Sequence, residues 1–397
     1  MASFSVRFLG CKVSYADAQA VRERLLADGH REVGDGGDVA VVNTCCVTHE
    51  AVSKSRQAVS RAARTHGQVL VTGCGANLPR AFSGAPDNVR VLALASEDLP
   101  GAVAGAVGPI GCVRADARLE RTRAFVKIQD GCSFTCAFCV IPLVRGATRS
   151  RRAPAVLAEI RRRVAQGHRE VVLTGVNLGC FRDRESGYTL PRLIREAGEI
   201  EGLDRLRLSS IEVNHLTQDL VAALRETPSA SAHLHVPLQS GDDGVLRAMR
   251  RRYTADEYAA KLSPLEDFNR TTDVIVGFPG EDEPAFRRTL ELVERAGITK
   301  VHVFPYSPRP GTETAAADTV PVGVKRERSA RLRALSDELV RRRLVPKLGT
   351  TDLVLVDRPG RGYADDYTPW LLEARLGELV RARAVGLGEG AILAVAA

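Results

Sequence analysis

The stretch Gly131-Cys-Ser-Phe-Thr-Cys-Ala-Phe-Cys139 places three thiols, Cys132, Cys136 and Cys139, at the spacing C-x3-C-x2-C. Three thiolates that close together on an extended loop can ligate three corners of a cubane iron–sulfur cluster, which ordinarily takes four cysteines. The missing fourth ligand leaves one iron open to a further group, as an open coordination position does at a catalytic metal. A zinc knuckle is the competing reading of such a run. It calls for a second ligand pair nearby, and none follows Cys139.

Working outward, the 397 residues are 44% hydrophobic and 26% charged, the composition of a globular chain with room for roughly two to three domains. The N-terminus has no basic segment leading into an apolar one, so secretion is not expected. No apolar run reaches the length of a membrane span. In a cytoplasmic chain, nine cysteines point to metal rather than disulfides. The net charge of +8 is compatible with a polyanionic partner without requiring one. The arginine runs at 161–163, 250–252 and 341–343 read as solvated helix faces.

Residues 1–115 read as a parallel α/β domain. Apolar runs at Ser5–Leu9, Val39–Val42 and Val69–Thr72 alternate with helical patterns over Ala18–Leu26 and Thr48–Arg64, and Val89–Leu94 forms a last strand before a linker. Cys11, Cys45 and Cys74 each follow the end of a predicted strand by one to three residues. Loops after the carboxyl ends of parallel strands emerge on one edge, where ligands bind. Three dispersed thiols can therefore converge there on a second cluster with an open iron. The bland alternative is three small buried cysteines. Cys112 and Cys180 have no partner pattern and read as ordinary thiols.

Residues 120–345 read as an incomplete (β/α)6 TIM-like barrel. Its predicted strands are Phe125–Ile128, Val171–Thr174, Leu206–Leu208, Leu234–Val236, Val274–Val276 and Val301–Phe304, with the cysteine loop after the first. The strand ends carry Gly175, Asn177, Ser209, Glu212 and Gln239, glycines and polar side chains suited to close approach of a ligand, although such residues also serve ordinary turns. His233 and His235 read as strand histidines rather than metal ligands, with His235 lining the chamber. Residues 346–397 read as a small β-barrel domain following the helical stretch Val322–Pro346. This tail holds five Arg and seven acidic residues from Gly349 onward. Any attraction to RNA must then come from elsewhere or from stacking on Tyr363, Tyr367 and Trp370, with a structural role for those aromatics the alternative.

The cysteine loop, with Phe138 before its last thiol, resembles the radical S-adenosylmethionine (SAM) superfamily. Leu9-Gly-Cys-Lys-Val-Ser14, Val42-Asn-Thr-Cys-Cys-Val-Thr48, Lys54-Ser-Arg-Gln57 and Thr72-Gly-Cys74 resemble the N-terminal domain of its methylthiotransferases. Arg145-Gly146, Arg149-Ser-Arg151, Gly175-Val-Asn177, Ser209-Ser-Ile-Glu212, His235-Val-Pro-Leu-Gln-Ser-Gly-Asp-Asp243 and Asp273-Val-Ile-Val-Gly-Phe-Pro-Gly280 look like further signatures of that family, and the tail resembles its TRAM domain. Ser14 stands where the family has Asn, and Cys46 replaces a small residue. Cys45 follows Asn-Thr as the family ligand does and is chosen, with Cys46 the alternative.

The resemblance implies two 4Fe-4S clusters, on Cys132/Cys136/Cys139 and on Cys11/Cys45/Cys74, with SAM bound near Phe138, Gly175, Asn177, Ser209, Glu212 and Gln239. The first cluster would cleave SAM to a 5′-deoxyadenosyl radical, and the auxiliary cluster would supply a methylated sulfur. Gly10-Cys-Lys-Val, Lys54-Ser-Arg-Gln and Gly362-Tyr-Ala-Asp-Asp-Tyr367 resemble the branch that modifies N6-threonylcarbamoyladenosine beside the anticodon of tRNA. Implied partners are a tRNA anticodon loop and an electron donor such as a flavodoxin or ferredoxin, with the enzyme a monomer. Alternatives are a sibling acting on isopentenyladenosine or on an aspartate of a ribosomal protein, and a two-cluster electron-transfer protein, which would not need the polar strand ends. Cys74 and Cys132 are expected in different folding units.

Overall fold

A computed structural model describes residues 1–93, 99–108 and 122–397. The chain forms two compact units: Met1–Arg118 with Asp130–Arg149 and Ser307–Ala316, and Leu119–Gln129 with Ser150–Tyr306 and Ala317–Ala397. The expectation for Cys74 and Cys132 does not hold, because both belong to the first unit. Cys112 lies outside the described residues, as does Leu94, the end of the expected strand.

In the first unit, β1 (Ser3–Phe8), β2 (Arg31–Glu32), β3 (Gly37–Thr44), β4 (His66–Gly73) and β5 (Val89–Val91) form a parallel sheet in the order β2-β1-β3-β4-β5. The near-continuous apolar run of β3 reflects burial on both faces. Val39 and Val41 join Val21 and Leu25 of α1 (Lys12–Ala27), while Ala40 and Val42 join Val59 and Ala62 of α2 (His49–Thr65). Each fully buried Val or Leu contributes roughly 1.5–3 kcal/mol. Thr48 caps α2 by accepting the Ala51 N–H at 3.1 Å. The stretch expected to be a linker contains α3 (Leu99–Val107), whose Leu99, Val103 and Ala104 pack in the α1 core. Gly101 and Gly105 dilute its helical pattern in the sequence.

In the second unit, β6 (Arg123–Lys127), β7 (Glu170–Thr174) and β8 (Arg205–Leu208) pair in parallel, with β7 central. A further parallel set comprises β9 (His233–His235), β10 (Asn269–Val276) and β11 (Lys300–Pro305), with β10 central. A parallel bridge, Leu206 to Ala230, links the two sets, giving the expected incomplete barrel. One apolar core runs through it, from Val126 and Leu173 to Val274 and Phe286. The tail closes into a barrel of β12 (Thr351–Arg358), β13 (Arg361–Tyr363), β14 (Pro369–Leu371), β15 (Leu379–Gly388) and β16 (Ala391–Ala396), in the order β12-β13-β14-β16-β15.

The tail barrel is fastened to the starts of the large barrel's strands by a buried polar layer. Arg123 bonds Asp357 at 3.0 Å and the Tyr367 hydroxyl at 3.1 Å. Arg205 donates to the carbonyls of Tyr363 and Leu353, and Arg207 to that of Asp365. Tyr367 stacks on Tyr363 with ring centroids 4.7 Å apart and lies under the Arg123 and Arg207 guanidiniums. Trp370 is fully buried in the tail barrel's core. Burial removes Trp370 from any stacking surface, while Tyr363 and Tyr367, half-buried, have a structural role as the alternative had it. Burial alone would raise the Glu170 carboxyl, but Arg207, Arg123 and Arg205 hold it below the ordinary carboxylate range.

Replacing Glu170 by Gln removes the carboxylate that pairs Arg207 and should cost about 3–5 kcal/mol at neutral pH. A lowered carboxyl supplies its full stability above the unfolded value near 4.5, losing it as pH falls through the depressed folded value. The gap between wild type and Glu170→Gln in urea unfolding should therefore close in acid. A gap unchanged from pH 7 into acid would contradict it.

Candidate functional site

Both cysteine sets belong to the first unit. Cys11 is exposed and immediately precedes the first turn of α1. Cys45 follows β3 and Cys74 follows β4; both are buried. The Ser55 hydroxyl accepts the Cys45 N–H at 3.1 Å and donates to the Cys45 carbonyl at 3.2 Å. That gives Ser55, within the Lys54-Ser-Arg-Gln57 stretch, a specific task. Gly73, at φ +83°, turns the chain into Cys74, and a Cβ there would come 2.6 Å from the Thr44 carbonyl oxygen.

The three dispersed thiols are electrostatic neighbours: Cys45 senses Cys11, and Cys74 senses both Cys11 and Cys45. Cys46 and Cys74 both pack in an apolar cluster with Leu78, Ala81, Val140 and Val144, and burial pushes the Cys46 thiol far up. Burial also pushes the Cys74 thiol up to about 11 against the opposing pull of Arg145.

The local set sits on a pinned loop. Gly131, at φ +67°, admits no side chain, since a Cβ would come 2.7 Å from the Gly146 carbonyl oxygen. The Cys132 N–H bonds that same oxygen at 3.0 Å, and Ser133 and Thr148 exchange backbone-to-hydroxyl bonds at 3.1 Å. The Phe134 N–H donates to Cys132 Sγ at 3.4 Å, and the Cys139 N–H to the Cys136 carbonyl at 3.1 Å. All three thiols are half-buried, as is Phe138. Helix α4 (Ile141–Arg145) follows and ends in Arg145, whose side chain is 5% exposed. Arg145 Nε lies 2.9 Å from Cys74 Sγ, and its other nitrogens bond Asp130 and Asp17. The sequence signature Arg145-Gly146 was legible, but its role toward Cys74 was not.

The remaining candidates lie in the second unit, at the carboxyl ends of its strands. Gly175 packs on the Gln129 side chain, and the Asn177 N–H donates to Gln129 Oε1 at 2.8 Å. Asn177 is buried, yet its Oδ1 has no partner among the described residues. Ser209 is buried one residue beyond β8, which pairs with β7. Glu212 accepts from Asn214 N–H and from Arg251, so its carboxylate is already committed. Gln239 is a non-glycine residue at φ +72°, a strained conformation of the kind held at ligand sites. His235 bonds Thr271 and Asp273, and His233 bonds Thr271, which leaves them as strand histidines.

No three His, Cys, Asp or Glu side chains among the described residues are gathered for a single metal ion. A cubane makes no such demand, since it spreads its thiolates over separate irons. Soft thiolates, N–H donors aimed at Cys132 and Cys74, and an unsatisfied acceptor on Asn177 fit two clusters and a polar cofactor. Accordingly Cys46→Ala should retain the iron that Cys45→Ala loses, at a stability cost of about 1 kcal/mol. Iron analysis after anaerobic reconstitution checks this, and loss of iron from Cys46→Ala alone would reverse the assignment.

Residues 126–293 match the model of the Radical SAM superfamily, and residues 3–88 that of Uncharacterized protein family UPF0004. The threonylcarbamoyladenosine tRNA methylthiotransferase MtaB of Chlamydia pneumoniae is 34% identical, covering 93% of this chain and 90% of the relative. Its Bacillus subtilis namesake is 36% identical, covering 86% and 82%. The tRNA-2-methylthio-N(6)-dimethylallyladenosine synthase of Sorangium cellulosum is 35% identical, covering 90% and 82%. Among solved structures, the radical SAM methyltransferase TsrM of Kitasatospora setae superposes with a TM-score of 0.59 at 14% identity, covering 91% of this chain and 80% of that one. That likeness is one of fold. With the cysteine spacing, the parallel α/β unit and the incomplete barrel already in place, these relatives establish that the chain is an enzyme of the radical SAM methylthiotransferase family.

Proposed function

We propose that the enzyme methylthiolates C2 of N6-threonylcarbamoyladenosine beside the anticodon of tRNA, using one SAM as radical source and a second as methyl donor. The observation that carries this reading is Cys74 meeting Arg145, the end of the loop that bears Cys132, Cys136 and Cys139, within one compact unit. A methylthio transfer needs radical generation and a sulfur source close together, and an electron-transfer protein would not need the polar strand ends. The tRNA-modifying activities named for the relatives support tRNA as substrate. When bound, the two clusters and SAM supply the one-electron chemistry and the sulfur that an unactivated C–H carbon requires.

The chain's own residues do the positioning. Cys132, Cys136 and Cys139 would hold one cluster, and Cys11, Cys45 and Cys74 would hold the auxiliary one. In the second unit Asn177 would offer SAM a buried acceptor and Gly175 would permit close approach, with Ser209 and Gln239 beyond the carboxyl ends of their own strands. Glu212 acts through Arg251, and Phe138 flanks the last ligand of the local loop. A nucleotide of an anticodon loop can be splayed out at low cost because it lies outside a duplex. The reductant is a low-potential donor of the flavodoxin or ferredoxin type. No helix among the described residues is long and apolar enough to cross a membrane. On this reading the enzyme is a cytoplasmic monomer acting on tRNA.

The second reading, a sibling acting on isopentenyladenosine, is kept because the Sorangium cellulosum relative is as similar as the threonylcarbamoyl ones. Mass spectrometry of tRNA nucleosides from a deletion strain should show loss of the methylthio group from threonylcarbamoyladenosine. Its loss from isopentenyladenosine would favour the sibling. Reconstituted protein should hold about eight irons per chain, falling to about four in Cys11→Ala/Cys45→Ala/Cys74→Ala. That variant should still make 5′-deoxyadenosine but no methylthiolated nucleoside, provided circular dichroism shows it folded. Full iron in the triple variant would contradict the dispersed site.

A further inference from the structure

Arg145 makes more contacts than its burial requires. Its terminal nitrogens are occupied by two carboxylates: one bonds both oxygens of Asp130 at 3.0 and 3.1 Å, and the other bonds Asp17 Oδ2 at 2.9 Å. The side chains of Arg145, Asp17 and Asp130 are 5%, 2% and 6% exposed. Two carboxylates already compensate one guanidinium. They also fix its plane, because charge-assisted bonds to both ends of a rigid fork leave little freedom to rotate. The remaining nitrogen, Nε, is thereby aimed with its N–H at Cys74 Sγ, 2.9 Å away.

Each anchor belongs to a segment bearing a cysteine of the site. Asp17 is on α1, which starts beside Cys11, and Asp130 lies two residues before Cys132. We propose that Arg145 is a positioning residue of the auxiliary cluster, holding Cys74 by its Nε–H and raising that cluster's reduction potential. This rests on the reading of Cys11, Cys45 and Cys74 as ligands. The physical basis is that a fixed cation and a hydrogen bond to a ligand sulfur favour the more electron-rich state, while net charge and such bonds set cluster potentials. Lysine could supply the charge but not the fixed fork.

The test uses full-length protein carrying Cys132→Ala/Cys136→Ala/Cys139→Ala, so that the dispersed set alone holds iron, with EPR-monitored redox titration as the readout. Arg145→Lys in this background should keep about four irons per chain and shift the potential downward. Arg145→Met, if it retains the cluster, should shift it further down. Iron retained at an unchanged potential in both variants would overturn the proposal. Loss of the cluster from both would overturn it too, in favour of a purely structural arginine. If the parent triple variant holds no iron, the ligand assignment itself fails, an outcome visible before any substitution at Arg145.

Discussion

The first unit depends on one buried guanidinium shared between segments far apart in sequence. Arg145 reaches Asp17, 128 residues away, and Cys74, 71 residues away, while also holding Asp130 beside its own loop. A buried charge deprived of its partners costs several kcal/mol, so these segments cannot separate cheaply. Asn77 adds a neutral bond to the Val144 carbonyl at 2.8 Å, and Val140 and Val144 pack on Cys46 and Cys74. The short helix after the local cysteines is thereby built into the α/β unit. In this way the two thiol sets share one folded body.

The second unit shows how the opposite end of a barrel is used. At the starts of its strands, Arg123, Glu170, Arg205 and Arg207 replace the apolar residues expected of a barrel interior. They are tolerable there because each finds a counter-charge or carbonyl, several of them on the tail barrel. Tyr363 and Tyr367 pack into this interface, stacked on each other and against arginine. The carboxyl ends of the strands stay free for the strained Gln239 and the unsatisfied Asn177, the usual division between stability and chemistry in such folds.

Much of this was legible in the sequence because it is local or periodic. The C-x3-C-x2-C spacing, the apolar runs of β3 and β4, and the cysteines just beyond strand ends all declare themselves within a few residues. What escaped depends on contacts between distant residues. Nothing near Arg145 signals Asp17, so the cysteine loop looked like part of the barrel that it follows. The Tyr363 and Tyr367 rings looked available because their arginine partners lie in other strands. Helix α3 was hidden by Gly101 and Gly105, which lower helix propensity without preventing packing of Leu99 and Val103. Choosing Cys45 over Cys46 rested on resemblance, since both thiols are buried and both are neighbours of Cys74.

The central claim is that residues 130–149 fold with the N-terminal α/β unit rather than with the barrel strands on either side of them. Native-state hydrogen exchange of the full-length protein tests it most directly, since cooperative units reveal themselves by shared opening free energies. The account predicts that the Cys132, Cys139 and Gly146 amides open with those of β3 and β4, and that Arg145→Met loosens both together. Exchange of these amides in step with β7 and β10, indifferent to Arg145, would contradict it.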